Sequence, residues 1–153
     1  MLPRCGVESV DPVRVGFETP EMSERTFGGQ TSSIGAARLF VRRTAAEALD
    51  LASSESDPRG DLELAVSELV TNAIEHGLGE PVTVIVSATA GTVVVSVRSV
   101  RTPSGIADPS TWAGPRPTVR TGRGLAIVRA ISDDVSVDAD DAMVTVHCKF
   151  RLD

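Results

Sequence analysis

The stretch SELVTNAIEHG, Ser67 to Gly77, carries Glu68, Asn72 and His76 at spacings of four. At about 100° per residue those three side chains fall on one narrow stripe, with Glu75 beside it. Leu62, Ala65, Val66, Leu69 and Ala73 gather on another stripe, so the segment reads as a helix from about Asp61 to His76 that packs one face into a core. Gly77 and Gly79 stop it. An acid, an amide and an imidazole in a row make either a solvated face or a site. The solvated face is the default, but such faces are usually built from Lys, Arg and Glu. Asn72 is a poor helix former and a good neutral oxygen ligand for magnesium, which in nucleotide sites takes one or two protein oxygens together with phosphates. Glu68, one turn earlier, is suited to accept a proton from an attacking hydroxyl or water.

Outward from that helix, the chain alternates patterned and unpatterned segments. Residues 1–22 read as an N-terminal tail and 23–153 as one domain. ERTFGG reads as a short edge strand. Thr31, Ser32 or Ser33 then caps a helix to about Leu49, with Ile34, Ala37, Val41, Ala45 and Ala48 inward and Arg38, Arg42 and Arg43 outward. Pro58 and Gly60 close the following loop. VTVIVSAT and TVVVSVRS, rich in β-branched residues and separated by Ala90-Gly91, predict an antiparallel hairpin. From Val100 to Thr121 periodicity vanishes and four prolines appear, the pattern of a lid or binding loop. A short helix from about Gly124 follows, then the strands DVSVDA and MVTVHCKFRL around the acidic turn DADDA. This order predicts an α+β two-layer sandwich with helices on one face of a mainly antiparallel sheet.

The second polar constellation is TGRGLAIV, Thr121 to Val128. Glycines around an arginine, directly before a helix, let backbone approach a phosphate while the helix N-terminus offers free N–H groups. Gly-x-Gly alone is common in turns.

Composition excludes several classes. A chain of 153 residues with 41% hydrophobic content suits one domain, and a net charge of -6 argues against direct nucleic-acid binding. No apolar run approaches the roughly 18 residues of a membrane helix, and MLPRCGVESVDP lacks a signal-peptide core. The expectation is a cytoplasmic protein. Cys5 and Cys148, with two distant histidines, form no disulfide framework or zinc site.

Taken together, the two constellations carry a family resemblance. VSELVTNAIEHG resembles the N box of the GHKL ATPase superfamily, which adopts the Bergerat fold, and GRGLAIVRAISDDVSVD resembles its second glycine box and following strand. The short length and the wording of both motifs are similar to the anti-sigma factors that are also serine/threonine protein kinases, over roughly residues 24–151. The resemblance implies ATP and Mg2+ as cofactors, with Glu68 as general base and Asn72 as the magnesium ligand. It places His76, Ser99, Gly105, Thr121, Gly122, Arg123, Gly124, Leu125 and Thr145 around the nucleotide. It further implies a sigma factor and an antagonist protein as partners, met in part through Arg38 and Arg42, and a homodimer. One position departs from the family: Ser99 stands where an Asp normally accepts a hydrogen bond from the adenine amino group, and only Gly105 resembles a glycine of the first box. Losing a charge-assisted contact of that kind costs about 1–3 kcal/mol.

Overall fold

A computed structural model describes residues 21–49, 59–89, 91–101 and 120–151. Residues 1–20 of the expected tail, most of the proline-rich segment with Gly105 and Trp112, and the loop carrying Pro58 lie outside the described residues. The order is β1 (Glu21–Phe27), α1 (Ser32–Leu49), α2 (Arg59–His76), β2 (Val82–Thr89), β3 (Thr92–Val100), α3 (Arg120–Ile131), β4 (Asp134–Ala139) and β5 (Met143–Arg151). The five strands form one antiparallel sheet in the order β1-β2-β3-β5-β4. Helix α2 crosses the middle of that sheet, with α1 and α3 packed on either side of it. This is the expected two-layer α+β arrangement.

Strand period explains which residues line the core. Val84, Val86, Val93, Val95, Val97, Val146, Cys148 and Phe150 are buried and point toward the helices, because alternate side chains of a pleated strand share a face. From above, Val41, Leu62, Val66, Leu69 and Val70 meet them. Val70 extends the inward stripe of α2 beyond the expected five residues, and Ala73 is only half-buried. The β2–β3 hairpin turns at Gly91, whose φ of 85° is a left-handed conformation that glycine adopts without Cβ strain. At the β4–β5 turn, Asp140 Oδ1 accepts the Ala142 and Met143 N–H groups at 2.8 and 2.7 Å. These bonds hold its carboxyl below the ordinary value of 3.8, and the Arg101 guanidinium adds a weaker pull.

Three boundaries differ from expectation. Strand β1 starts at Glu21, three residues before ERTFGG, so Glu21 and Met22 belong to the sheet. Helix α2 starts at Arg59, taking Gly60 into its first turn. Helix α3 starts at Arg120, so Thr121, Gly122, Arg123 and Gly124 lie in its first turns instead of in a loop before it. Glycine costs a helix about 1 kcal/mol relative to alanine. The burial of Leu125, Ala126 and Val128 outweighs that local preference.

Candidate functional site

The site begins with the stripe on α2. Glu68 and Asn72 are both half-buried, one helical turn apart, and His76 ends the helix on its exposed side. Gly77 donates its N–H to the Ala73 carbonyl at 2.8 Å and closes the helix behind them. Residues four apart on a helix have Cβ atoms about 5–6 Å from each other, close enough for the carboxylate and the amide to act on one ligand.

Helix α3 supplies the opposite wall. Gly124 meets Glu68 so closely that a Cβ at position 124 would lie 2.6 Å from Glu68 Oε1. The two constellations separated by some fifty residues of chain are therefore neighbours in space. Packing of α3 against α2, driven by Leu125 and Val128 in the core, brings them together.

Asn72 is the second distinctive feature. Its Oδ1 is buried without a hydrogen-bond partner, a state that costs about 1–3 kcal/mol unless a ligand satisfies it. The other such oxygen among the described residues, Ser132 Oγ, sits beside the Cys148 thiol, a weak donor. Burial pushes that thiol up to about 12, against a smaller opposing effect of the Ser132 hydroxyl. An orphaned carbonyl oxygen beside a carboxylate fits Mg2+, a hard cation that keeps most of its waters and needs few protein ligands. Among the described residues no group of three His, Cys, Asp or Glu side chains could hold a metal, so a protein-only cage is not what this geometry offers.

The remaining expected residues divide by position. Ser99, half-buried near the end of β3, shares the helix-covered face with Val93, Val95 and Val97. The Leu125 side chain is buried in the core cluster. The side chains of Thr121, Gly122 and Arg123, and all of Gly105, lie outside the described residues. Thr145 corrects the expectation. It pairs with Arg98 on β3 and Asp138 on β4, while its neighbours Val144 and Val146 take the helix side. Strand alternation thus puts Thr145 on the opposite face of the sheet from Glu68 and Asn72. Arg42 is exposed on α1, and its Nε donates to Glu63 Oε2 at 2.8 Å, linking α1 to α2 within the chain. Arg38 is exposed on α1.

A polar chain on the uncovered face escaped the reading of the sequence. Ser96 Oγ lies 2.7 Å from His147 Nδ1, and His147 Nε2 lies 2.9 Å from Asp138 Oδ2. Alternation in β3 and β5 put Ser96 and His147 off the core face, but only the strand register made them partners. Nothing in this chain joins the α2–α3 site, since the sheet separates them.

Comparison with known proteins agrees with this layout. Residues 31–149 match the family model described as the histidine kinase-like ATPase domain. The crystal structure of the RsbU and RsbW domains of Rv1364c from Mycobacterium tuberculosis superposes with a TM-score of 0.61 at 20% identity. That match covers 86% of this chain and 32% of the other, and it shows a shared fold. No curated protein matches the chain.

Proposed function

The chain belongs to the histidine kinase-like ATPase domain family, and from that premise we propose that it is an ATP-binding anti-sigma factor that phosphorylates a serine or threonine of an antagonist protein. The observation that carries this reading is the juxtaposition on α2: a carboxylate, Glu68, next to an amide oxygen, Asn72 Oδ1, that is buried and unsatisfied. The printed name of the structural neighbour, with its RsbU and RsbW domains, supports the partner-switching context. The chain spans about a third of that neighbour's length, 32%, so partners and substrates are part of the proposal.

In the proposed reaction Glu68 accepts the proton of the antagonist's hydroxyl as its oxygen attacks the γ-phosphorus of ATP. The bond from that phosphorus to the bridging oxygen breaks, ADP leaves, and the proton passes from Glu68 to solvent. Asn72 would hold Mg2+, which when bound supplies charge neutralisation at the phosphates. The N-terminal turns of α3, from Arg120, would offer backbone N–H groups to the phosphates. Among the described residues no helix is long and apolar enough to cross a membrane.

The test is transfer of the γ-phosphoryl group from labelled ATP to the cognate antagonist. Glu68→Ala is expected to lower the rate by about 10²–10⁴-fold, and an undiminished rate would remove Glu68 from the mechanism. Ser99 favours a second reading, a switch protein that binds partners without catalysis, because a neutral hydroxyl replaces the family's carboxylate on the helix-covered face. Calorimetric titration with ATP and Mg2+ separates the two. Binding only after Ser99→Asp supports the non-catalytic switch, whereas binding by the unaltered chain supports the kinase.

A further inference from the structure

Gly124 is a glycine in a helix where its backbone angles do not demand one. Glycines with positive φ among the described residues are Gly79 and Gly91, and Gly124 lies within the helical span Arg120–Ile131. Alanine would be the better helix former there. What excludes it is Glu68: the nearest atoms to an added Cβ are Glu68 Oε1 at 2.6 Å and Glu68 Cδ at 3.7 Å, with Glu68 Cβ at 3.8 Å. No backbone atom of another element stands among those neighbours. The atom in collision is the far end of a flexible side chain, so an added methyl would turn the carboxylate aside and leave the fold intact.

We propose that Gly124 is a positioning residue for the Glu68 carboxylate, kept as glycine at a cost in helix stability so that the carboxylate can occupy the α2–α3 cleft. The role is steric and acts through Glu68. It differs from a phosphate contact by Gly124, and it rests on the proposed function only where turnover is the readout.

Four proteins test it: the unaltered chain, Gly124→Ala, Glu68→Ala and the double variant. Without nucleotide, Gly124→Ala is expected to fold and to show the Glu68 carboxylate displaced in a crystal structure. Its thermal midpoint should rise more in the Glu68→Ala background, by about 3 °C for an unopposed helix gain, than in the unaltered one. With nucleotide, MgADP affinity should stay within about threefold of the unaltered chain, since a loss of one hydrogen bond would exceed that. Phosphoryl transfer to the antagonist should fall as far as in Glu68→Ala, with no further fall in the double variant. An undisplaced carboxylate with equal midpoint shifts in both backgrounds would overturn the proposal. So would a tenfold loss of MgADP affinity in Gly124→Ala alone, which would give the glycine to the phosphates. Should Glu68→Ala transfer the phosphoryl group undiminished, the general-base reading fails, and the displaced carboxylate and unequal midpoint shifts still decide the steric one.

Discussion

The two faces of the sheet are made by the same strands and differ in how their polar atoms are satisfied. On the uncovered face, Thr26 Oγ1 meets Thr83 Oγ1 at 2.9 Å, Ser96 bonds His147, His147 bonds Asp138, and Arg98 reaches toward Glu24 at 3.9 Å. These polar side chains find cross-strand neighbours, and Thr83 and Ser96 are buried beneath the longer ones. On the helix-covered side, a nearly continuous apolar core is interrupted by Asn72 Oδ1, buried and without a partner. The contrast teaches where to look for function. Of the two buried oxygens without a hydrogen-bond partner among the described residues, Ser132 Oγ sits beside the Cys148 thiol, and Asn72 Oδ1 sits on the same helix stripe as Glu68, which makes it the one placed to meet a ligand.

The covered face should be the more sensitive to truncation. Leu62→Ala, at a fully buried position on α2, is expected to cost about 2–5 kcal/mol in urea denaturation. A much smaller loss would mean that the helix layer is loosely packed. Asn72→Leu turns the contrast into a trade. Removing an unsatisfied buried oxygen is expected to stabilise the fold by up to roughly 1–3 kcal/mol while abolishing the Mg2+ dependence of nucleotide affinity. Lower stability would show that the oxygen has a partner in solution.

Changes on the uncovered face should be smaller and functionally silent. His147→Ala removes both bonds of the Ser96–His147–Asp138 chain and is expected to cost roughly 0.5–1.5 kcal/mol per net hydrogen bond, with calorimetric nucleotide affinity unchanged. Altered affinity would link the two faces. The smallest effect belongs to the Asp140 turn. Because its folded carboxyl lies below the ordinary 3.8, its stabilisation is present above that value and is lost as pH falls through the lowered one. Thermal midpoints of the unaltered chain and Asp140→Ala should therefore differ above pH 3.8 and converge below it, and a constant gap would mean that the turn does not depend on carboxylate charge.

Much of this layout was legible in the sequence because it depends on local period. The stripe on α2, the β2–β3 hairpin and the helix-over-sheet order follow from spacings of four and two, and they stand in the structure. Less legible was the start of α3. Gly122 and Gly124 carry a local preference for a loop, and the burial of Leu125 and Val128 overrode it. Thr145 was misplaced for a related reason. A strand's period tells which residues share a face, but the face that meets the helices is chosen by the whole sheet.

Arg42 shows the same limit at the surface. Its outward position on α1 was correct, whereas its bond to Glu63 depends on how α1 lies against α2.

The sequence by itself determined that Glu68 and Asn72 share one helix face, since four residues make about one helical turn and no tertiary contact is needed to align them. Only the tertiary structure decided that Gly124 would face Glu68 and that Asn72 Oδ1 would be left buried and unpaired. The first depends on α3 docking against α2 and the second on the packing around α2, and contacts between segments distant in the chain are selected by the fit of the whole core rather than by any local spacing.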